Sequence, residues 1–151
     1  KMKNKVDFMD IAIQQAHCSN GDIPVGAVIV KDGEVLSAAF NTRERDNDIT
    51  SHAEILAIRR AEKYLNNWRL DGCELYVTLE PCPMCGWAII QSRIDKVYFG
   101  SYDSNYGAFS SNIDLRKLAA GTKLKVYGGI KEDACNKILE KFFSDLRSGS
   151  V

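Results

Sequence analysis

Asp32-Gly33 stands between two short apolar runs, Gly26-Ala27-Val28-Ile29-Val30-Lys31 and residues 35–40. A two-residue Asp-Gly step between strand-like runs is the sequence form of a tight hairpin, because both turn positions demand a positive φ. A different rhythm follows. Three further strand-like runs, Glu74-Leu75-Tyr76-Val77-Thr78, Lys96-Val97-Tyr98-Phe99-Gly100 and residues 123–127, alternate with segments of helical character. The first helix carries Val6, Met9, Ile13 and Ala16 on one face and stops at Asn20-Gly21. Others are expected from about residue 52 to 63, within 81–91, over 114–120 and from about 131 to 147, with the polar stretch 41–50 as a loop. The order αββαβαβαβα, a hairpin running into strand–helix alternation, predicts an α/β chain: a three-layer α-β-α fold whose mixed five-stranded sheet has helices on both faces. The helix expected before the fifth strand supplies the crossover that lets strands four and five run parallel.

Composition supports one ordinary globular domain spanning 1–151. Hydrophobic residues make up 45% and charged residues 26%, which excludes a disordered or collagen-like chain. There is no repeat, low-complexity tract or linker-like stretch. No apolar run approaches the ~20 residues of a membrane helix, so no membrane association is expected. The start, Lys1-Met2-Lys3-Asn4-Lys5, runs into Val6-Asp7-Phe8-Met9-Asp10, too acidic for a signal-peptide core, which makes the expected location cytoplasmic. Twenty basic and twenty acidic side chains cancel, yet residues 1–115 hold 12 Lys/Arg against 16 Asp/Glu and residues 116–151 hold 8 against 4. A basic C-terminal end suits either a polyanion such as RNA or a plain solvated helix.

Five cysteines form an odd set with no secretory signal, a poor disulfide framework. Cys82 and Cys85 differ from the rest. Pro81-Cys82-Pro83-Met84-Cys85 sets two thiols one helical turn apart where a helix follows a strand, and Pro83 suits the first turn. The N–H groups and dipole at a helix start favour thiolates. A lone C-x-x-C between strand and helix fits a metal site or a thioredoxin-like redox pair equally well. The second piece is His52-Ala53-Glu54, also at a helix start, thirty positions before Cys82. One imidazole and two thiolates make three ligands of a tetrahedral Zn²⁺ and leave the fourth position to water, a catalytic pattern. Glu54 is then placed to move protons. A structural zinc site lacks a fourth ligand here, since the other histidine, His17, falls in the first helix. A redox dithiol leaves His52 and Glu54 without a role. Cys18, Cys73 and Cys135 read as small core residues.

H-x-E…P-C-x-x-C is the signature of zinc nucleobase deaminases, and the chain resembles the cytidine deaminase superfamily, most closely its bacterial tRNA-specific adenosine deaminase branch. The blocks that carry the resemblance are Pro24-Val25-Gly26-Ala27-Val28-Ile29-Val30, Asn41, His52-Ala53-Glu54, Asn67-Trp68-Arg69-Leu70, Leu75-Tyr76-Val77-Thr78-Leu79-Glu80-Pro81-Cys82, Ser92-Arg93-Ile94, Phe99-Gly100 and Phe142-Phe143. Histidine in H-A-E separates the chain from the free-cytidine branch, which commonly has cysteine there. The resemblance implies a cytidine-deaminase-like fold, a homodimer, and conversion of the wobble adenosine of a tRNA anticodon loop to inosine. It implies zinc on His52, Cys82 and Cys85, Glu54 as proton shuttle, a backbone N–H of Ala53 offered to the base, and Asn41 bonded to base or ribose. Asn is also a common turn residue after a strand. Arg116, Lys117, Lys141 and Arg147 are candidates for phosphate contact, Arg147 being most like the family's C-terminal position.

Departures from the family pattern cluster late in the chain. Asp103-Ser104-Asn105 replaces a D-x-K arrangement, Ser110-Ser111-Asn112 replaces Gly-Ser-Leu, and Ala120-Gly121-Thr122 replaces an Asn-His turn. Gly86-Trp87 stands where small residues often follow the second cysteine. The alternative function is deamination of a free base, nucleoside or nucleotide of the guanine, cytosine or cytidine type, or of single-stranded DNA. A third class, a zinc domain without activity, has no use for Glu54.

Overall fold

The computed structural model describes residues 4–149, without the side chain of Val6. Lys1, Met2 and Lys3 at the basic start, and Ser150 and Val151 at the other end, lie outside the described residues. Two antiparallel strands, β1 (Gly26–Lys31) and β2 (Glu34–Phe40), form the expected hairpin. Asp32 and Gly33 have φ of 51° and 79°, the two positive values that a primed turn needs. β3 (Cys73–Leu79) pairs antiparallel to β1, β4 (Lys96–Ser101) parallel to β3, and β5 (Lys125–Tyr127) parallel to β4. The spatial order is β2-β1-β3-β4-β5, a mixed five-stranded sheet.

Alternation along the inner strands sorts their side chains onto two covered faces. Ala27, Ile29, Leu75, Val77, Val97 and Phe99 join α3 (Ala53–Leu65) and α4 (Pro83–Gln91) in one core. Val28, Val30, Tyr76 and Tyr98 meet α1 (Lys5–Ala16) and Cys135 of α5 (Glu132–Arg147) in the other. Helices therefore lie on both faces, as the strand–helix order predicts.

Five local readings change. The stretch 41–50 contains a one-turn helix, α2 (Arg43–Asp46), held by Asp22, whose carboxylate accepts the Glu44 and Arg45 amides at 2.7 and 3.3 Å. Residues 114–120 form only a 3₁₀ turn, Leu115–Lys117: the amides of Lys117, Leu118 and Ala119 bond three residues back, to Asp114, Leu115 and Arg116, and Asp114 caps the turn through the Arg116 amide. The β4-to-β5 crossover thus runs through irregular chain, and β5 begins at Lys125, opposite Lys96 where β4 begins. His17 follows the end of α1, and Cys18 is exposed, while Cys73 and Cys135 are buried as expected.

β2, β3 and β4 all end at one edge of the sheet, where Gly26 opens β1 opposite Phe40. Asn41, Glu80 to Cys82 and the chain after Ser101 leave from that edge, the side of parallel strands on which α/β sites form.

Candidate active site

Two helix starts meet there. His52 caps α3 and Cys82 caps α4, both in extended backbone with φ of −74°. Their carbonyls accept the first helical bonds, from Leu56 and Gly86 at 3.0 and 2.7 Å. Ser, Thr, Asp or Asn at such a position would bond the free helix amides through its side chain. Neither His52 nor Cys82 does so. Both side chains instead turn toward each other, a local rule given up where chemistry is placed.

His52 Nδ1 lies 3.7 Å from Cys82 Sγ and 3.4 Å from Cys85 Sγ. The three donor atoms all fall within 4.8 Å of one another. An imidazole nitrogen with two sulfurs is the donor chemistry of zinc, so the residues present fit that ion. The contact to Cys85 holds the Cys82 thiol down at about 4, helped by His52 and resisted by burial. Its counterpart, Cys85, is pushed well up by Cys82 and by its own burial. The hydrogen bond to Cys82 raises His52, against its burial.

Glu54, in the first turn of α3, is 4% exposed. Burial first, then the nearby Cys82 charge, raise its carboxyl to about 7. Ala53 beside it is fully buried at the helix start. Asn41 is fixed by three bonds: its amide donates to Val25 O at 3.0 Å, Nδ2 to Ile23 O at 3.0 Å, and Oδ1 accepts the Arg43 amide at 3.2 Å. The turn role of Asn41 is therefore real, and one Nδ2 hydrogen is left over for a further partner.

The structure brings His52, Glu54, Cys82 and Cys85 together. It does not bring Arg147 to them: that side chain lines a separate groove of about 330 Å³ on α5 with Asn136, Leu139, Glu140 and Phe143. Among the other basic candidates, Arg116 is tied to Asp114 at 2.8 Å and Lys141 to Asp145 at 2.9 Å. A larger groove of about 890 Å³, with Trp87, Arg93 and Leu118 among its walls, includes none of the four. Sequence reading gave no role to Glu80 or Asp22, both buried acids whose partners lie more than twenty residues away. The signal for Glu80 was a lone acid between an apolar strand and Pro81.

An α/β sheet with a His/Cys/Cys donor set and a buried carboxylate at its edge defines the class, a chain built around a candidate catalytic metal centre. Residues 2–101 match the family model of the cytidine and deoxycytidylate deaminase zinc-binding region, and the chain belongs to that family. It is 41% identical over 143 residues to a tRNA-specific adenosine deaminase of Bacillus subtilis (strain 168), covering 93% of this chain and 89% of that protein. A protein of the same name from Aquifex aeolicus (strain VF5) is 42% identical over 149 residues, covering 95% and 97%. A structure solved in a study of A-to-I editing by tRNA:A34 deaminases at the wobble position of transfer RNA is similar with a TM-score of 0.82 and 39% identity, over 87% of this chain and 98% of that one. No helix among the described residues is long and apolar enough to cross a membrane.

Proposed function

We propose that the protein is a zinc-dependent hydrolytic deaminase that converts the wobble adenosine of a tRNA anticodon loop to inosine. The observation that carries this reading is the convergence of His52, Cys82, Cys85 and buried Glu54 on two helix starts, in a chain 41% and 42% identical to two tRNA-specific adenosine deaminases over most of its length. His52, Cys82 and Cys85 hold the zinc, and three protein ligands are the count of a catalytic site. When bound, zinc supplies a water that ionises near neutral pH.

Glu54 moves the protons. It accepts one from the attacking water, passes it to a ring nitrogen of the base, and delivers the next to the departing ammonia. A carboxyl held near 7 by burial can both keep and release a proton at neutral pH. Ala53 presents a backbone N–H in the first turn of α3, where amides have no helical acceptor. Asn41 offers its remaining Nδ2 hydrogen to the base or ribose. Arg147 meets a phosphate of the anticodon loop, whose target nucleotide must be splayed out to reach the site. The protein acts in the cytoplasm as a homodimer, with exposed Trp87 and Leu118 supplying apolar surface for a second copy.

The test is inosine formation in an anticodon stem-loop bearing adenosine at the wobble position, with free adenine, guanine, cytosine and cytidine in parallel. Inosine in the RNA with none of the free compounds consumed is the expected result. Turnover of free guanine, cytosine or cytidine with no inosine in RNA overturns the substrate assignment.

A further inference from the structure

Glu80 is an acid without an ion pair among the described residues. It follows β3, precedes Pro81-Cys82, and is 2% exposed. Among the described residues no lysine, arginine or histidine pairs with it. Its charge is met by hydrogen-bond donors from one loop, the chain after β4. Oε1 accepts the Asp103 amide at 3.1 Å and the Ser111 hydroxyl. Oε2 accepts the amides of Phe109, Ser110 and Ser111 at 3.2, 2.9 and 3.0 Å. Successive N–H groups turned onto one anion form a nest, here closed around an internal carboxylate.

The loop's own backbone bonds are few, a single bridge between Phe109 and Asp114 and turn bonds such as Gly107 N–H to Asp103 O at 2.8 Å, and none of them takes up the four amides that Glu80 binds. Gly107 lies against the carboxylate so closely that a Cβ there would overlap Glu80 and stand 2.5 Å from the Asp103 carbonyl. The loop is also tied to the turn that carries the first thiol, because the Ala108 amide donates to Pro81 O at 2.9 Å. It leans on α4 as well: a Cβ on Gly86, next to Cys85, would meet Ala108 and Phe109 at 3.5 Å. Residues 103–106 then stand outward at the sheet edge of the site, shaped by Asp103 Oδ1, which accepts the Asn105 and Tyr106 amides at 3.0 and 3.1 Å.

We propose that Glu80 is a positioning residue: its carboxylate holds the 103–111 loop in a preformed shape against the metal-bearing turn, so that the loop receives the polymer around the target nucleotide without first having to order itself. The inference rests on the RNA reading above for its substrate, and on the nest alone for its mechanism. A preformed loop lowers the cost of binding and leaves the chemical step to Glu54. Removing the anion is therefore expected to appear in KM and not in kcat. This separates a positioning role from plain structural damage, which would lower the amount of active protein and so kcat.

The experiment uses the full zinc-loaded chain. Glu80→Gln puts an amide group among N–H donors, and Gly107→Ala keeps the acid but drives a methyl group into the space between its carboxylate and the loop. For both, zinc is expected to stay at one per chain, and the amides of Asp103, Phe109, Ser110 and Ser111 to exchange with deuterium at least tenfold faster. KM for the anticodon stem-loop is expected to rise roughly tenfold, the worth of one hydrogen bond to a charged group, with kcat within about twofold. Ser111→Ala removes a single hydroxyl donor, should fold in any case, and should move the same quantities the same way by a smaller factor. Unchanged exchange in all three variants overturns the nest as the loop's anchor. Faster exchange with kcat lowered and KM unchanged overturns the positioning role. Should the wild-type protein make no inosine, the RNA reading fails, while the exchange measurement still decides whether Glu80 orders the loop.

Discussion

The part of the chain up to Ser101 and the part after it solve different problems with the same sheet. In the first, every group proposed for chemistry sits on a regular element or at its cap: His52 and Glu54 at the start of α3, Cys82 and Cys85 at the start of α4. In the second, a long irregular crossover is wound around Glu80, β5 is three residues long, and α5 buries only Cys135. The family match ends at residue 101 as well, and three of the four departures from the family pattern fall beyond it. The difference teaches where each task can be placed. Proton transfer and metal binding tolerate little displacement, so the groups proposed for them sit at the starts of two helices packed on one face of a buried sheet. Recognition of a large, flexible substrate is carried by surface that can vary while the centre stays unchanged.

The contrast is broken most directly by variants in the first part. His52→Ala is expected to lose zinc and turnover together, read by metal analysis and the inosine assay. Glu54→Ala is expected to keep its zinc and fold while turnover falls by roughly 10²–10⁴-fold, the usual worth of a general acid–base group. Equal zinc loss in both variants would make Glu54 a ligand and remove the proton role.

Next in size comes the seam between the two parts. Gly100 is the last apolar-facing position of β4 before the crossover, and a Cβ there would collide with the Cys135 sulfur of α5 and stand 2.9 Å from Thr78 O. Gly100→Ala is expected to cost about 1–3 kcal/mol of stability through overpacking, measured by denaturant unfolding. Adding Cys135→Ala should return part of that loss, since the two sites are in contact. Zinc content should be unchanged in the folded protein. Loss of zinc in Gly100→Ala would mean the α5 side of the sheet supports the centre too, and the contrast would dissolve.

What could be read from the sequence divides along the same line. The inner strands β1, β3 and β4 were legible because both their faces are covered and their apolar runs have no competing helical period. His52, Glu54, Cys82 and Cys85 were legible because short local spacing puts each on a helix start. The features missed depend on partners far along the chain. α2 exists because Asp22 caps it from before β1, and no local pattern in 41–50 announces that. A helix over 114–120 fits the composition, but the amides there bond three residues back and the segment closes as one 3₁₀ turn capped by Asp114. The donors to Glu80 begin 23 residues later, at Asp103. Cys18, read as core by residue type alone, faces solvent.

Arg147 sharpens the recognition side of the contrast. It ends α5 in a groove apart from the centre. Arg147→Ala is expected to weaken RNA binding several-fold and to shallow the salt dependence by about 0.7 in log–log slope, one phosphate contact on a single strand. Zinc content and turnover at saturating RNA should stay as in the wild type. An unchanged slope would remove Arg147 from the RNA surface.

The smallest effect is expected at Asp114, where the crossover makes its single turn. Its carboxylate accepts the Arg116 amide at 3.1 Å and pairs with the guanidinium at 2.8 Å. Asp114→Ala should cost about 0.5–1 kcal/mol, the low end of a capping loss, because only three residues are capped. Asp114→Asn keeps the acceptor and should cost less than half of that. The Arg116 hydrogen bond holds the Asp114 carboxyl below its ordinary value of 3.8, so its ionic contribution is complete above that value and is lost as pH falls through the lower folded one. The stability gap between wild type and Asp114→Asn should therefore be constant from neutral pH down to about 4 and close below it, as followed by urea unfolding at stepped pH. A gap that persists at the acid end would show that the charge on Asp114 is not what holds the turn.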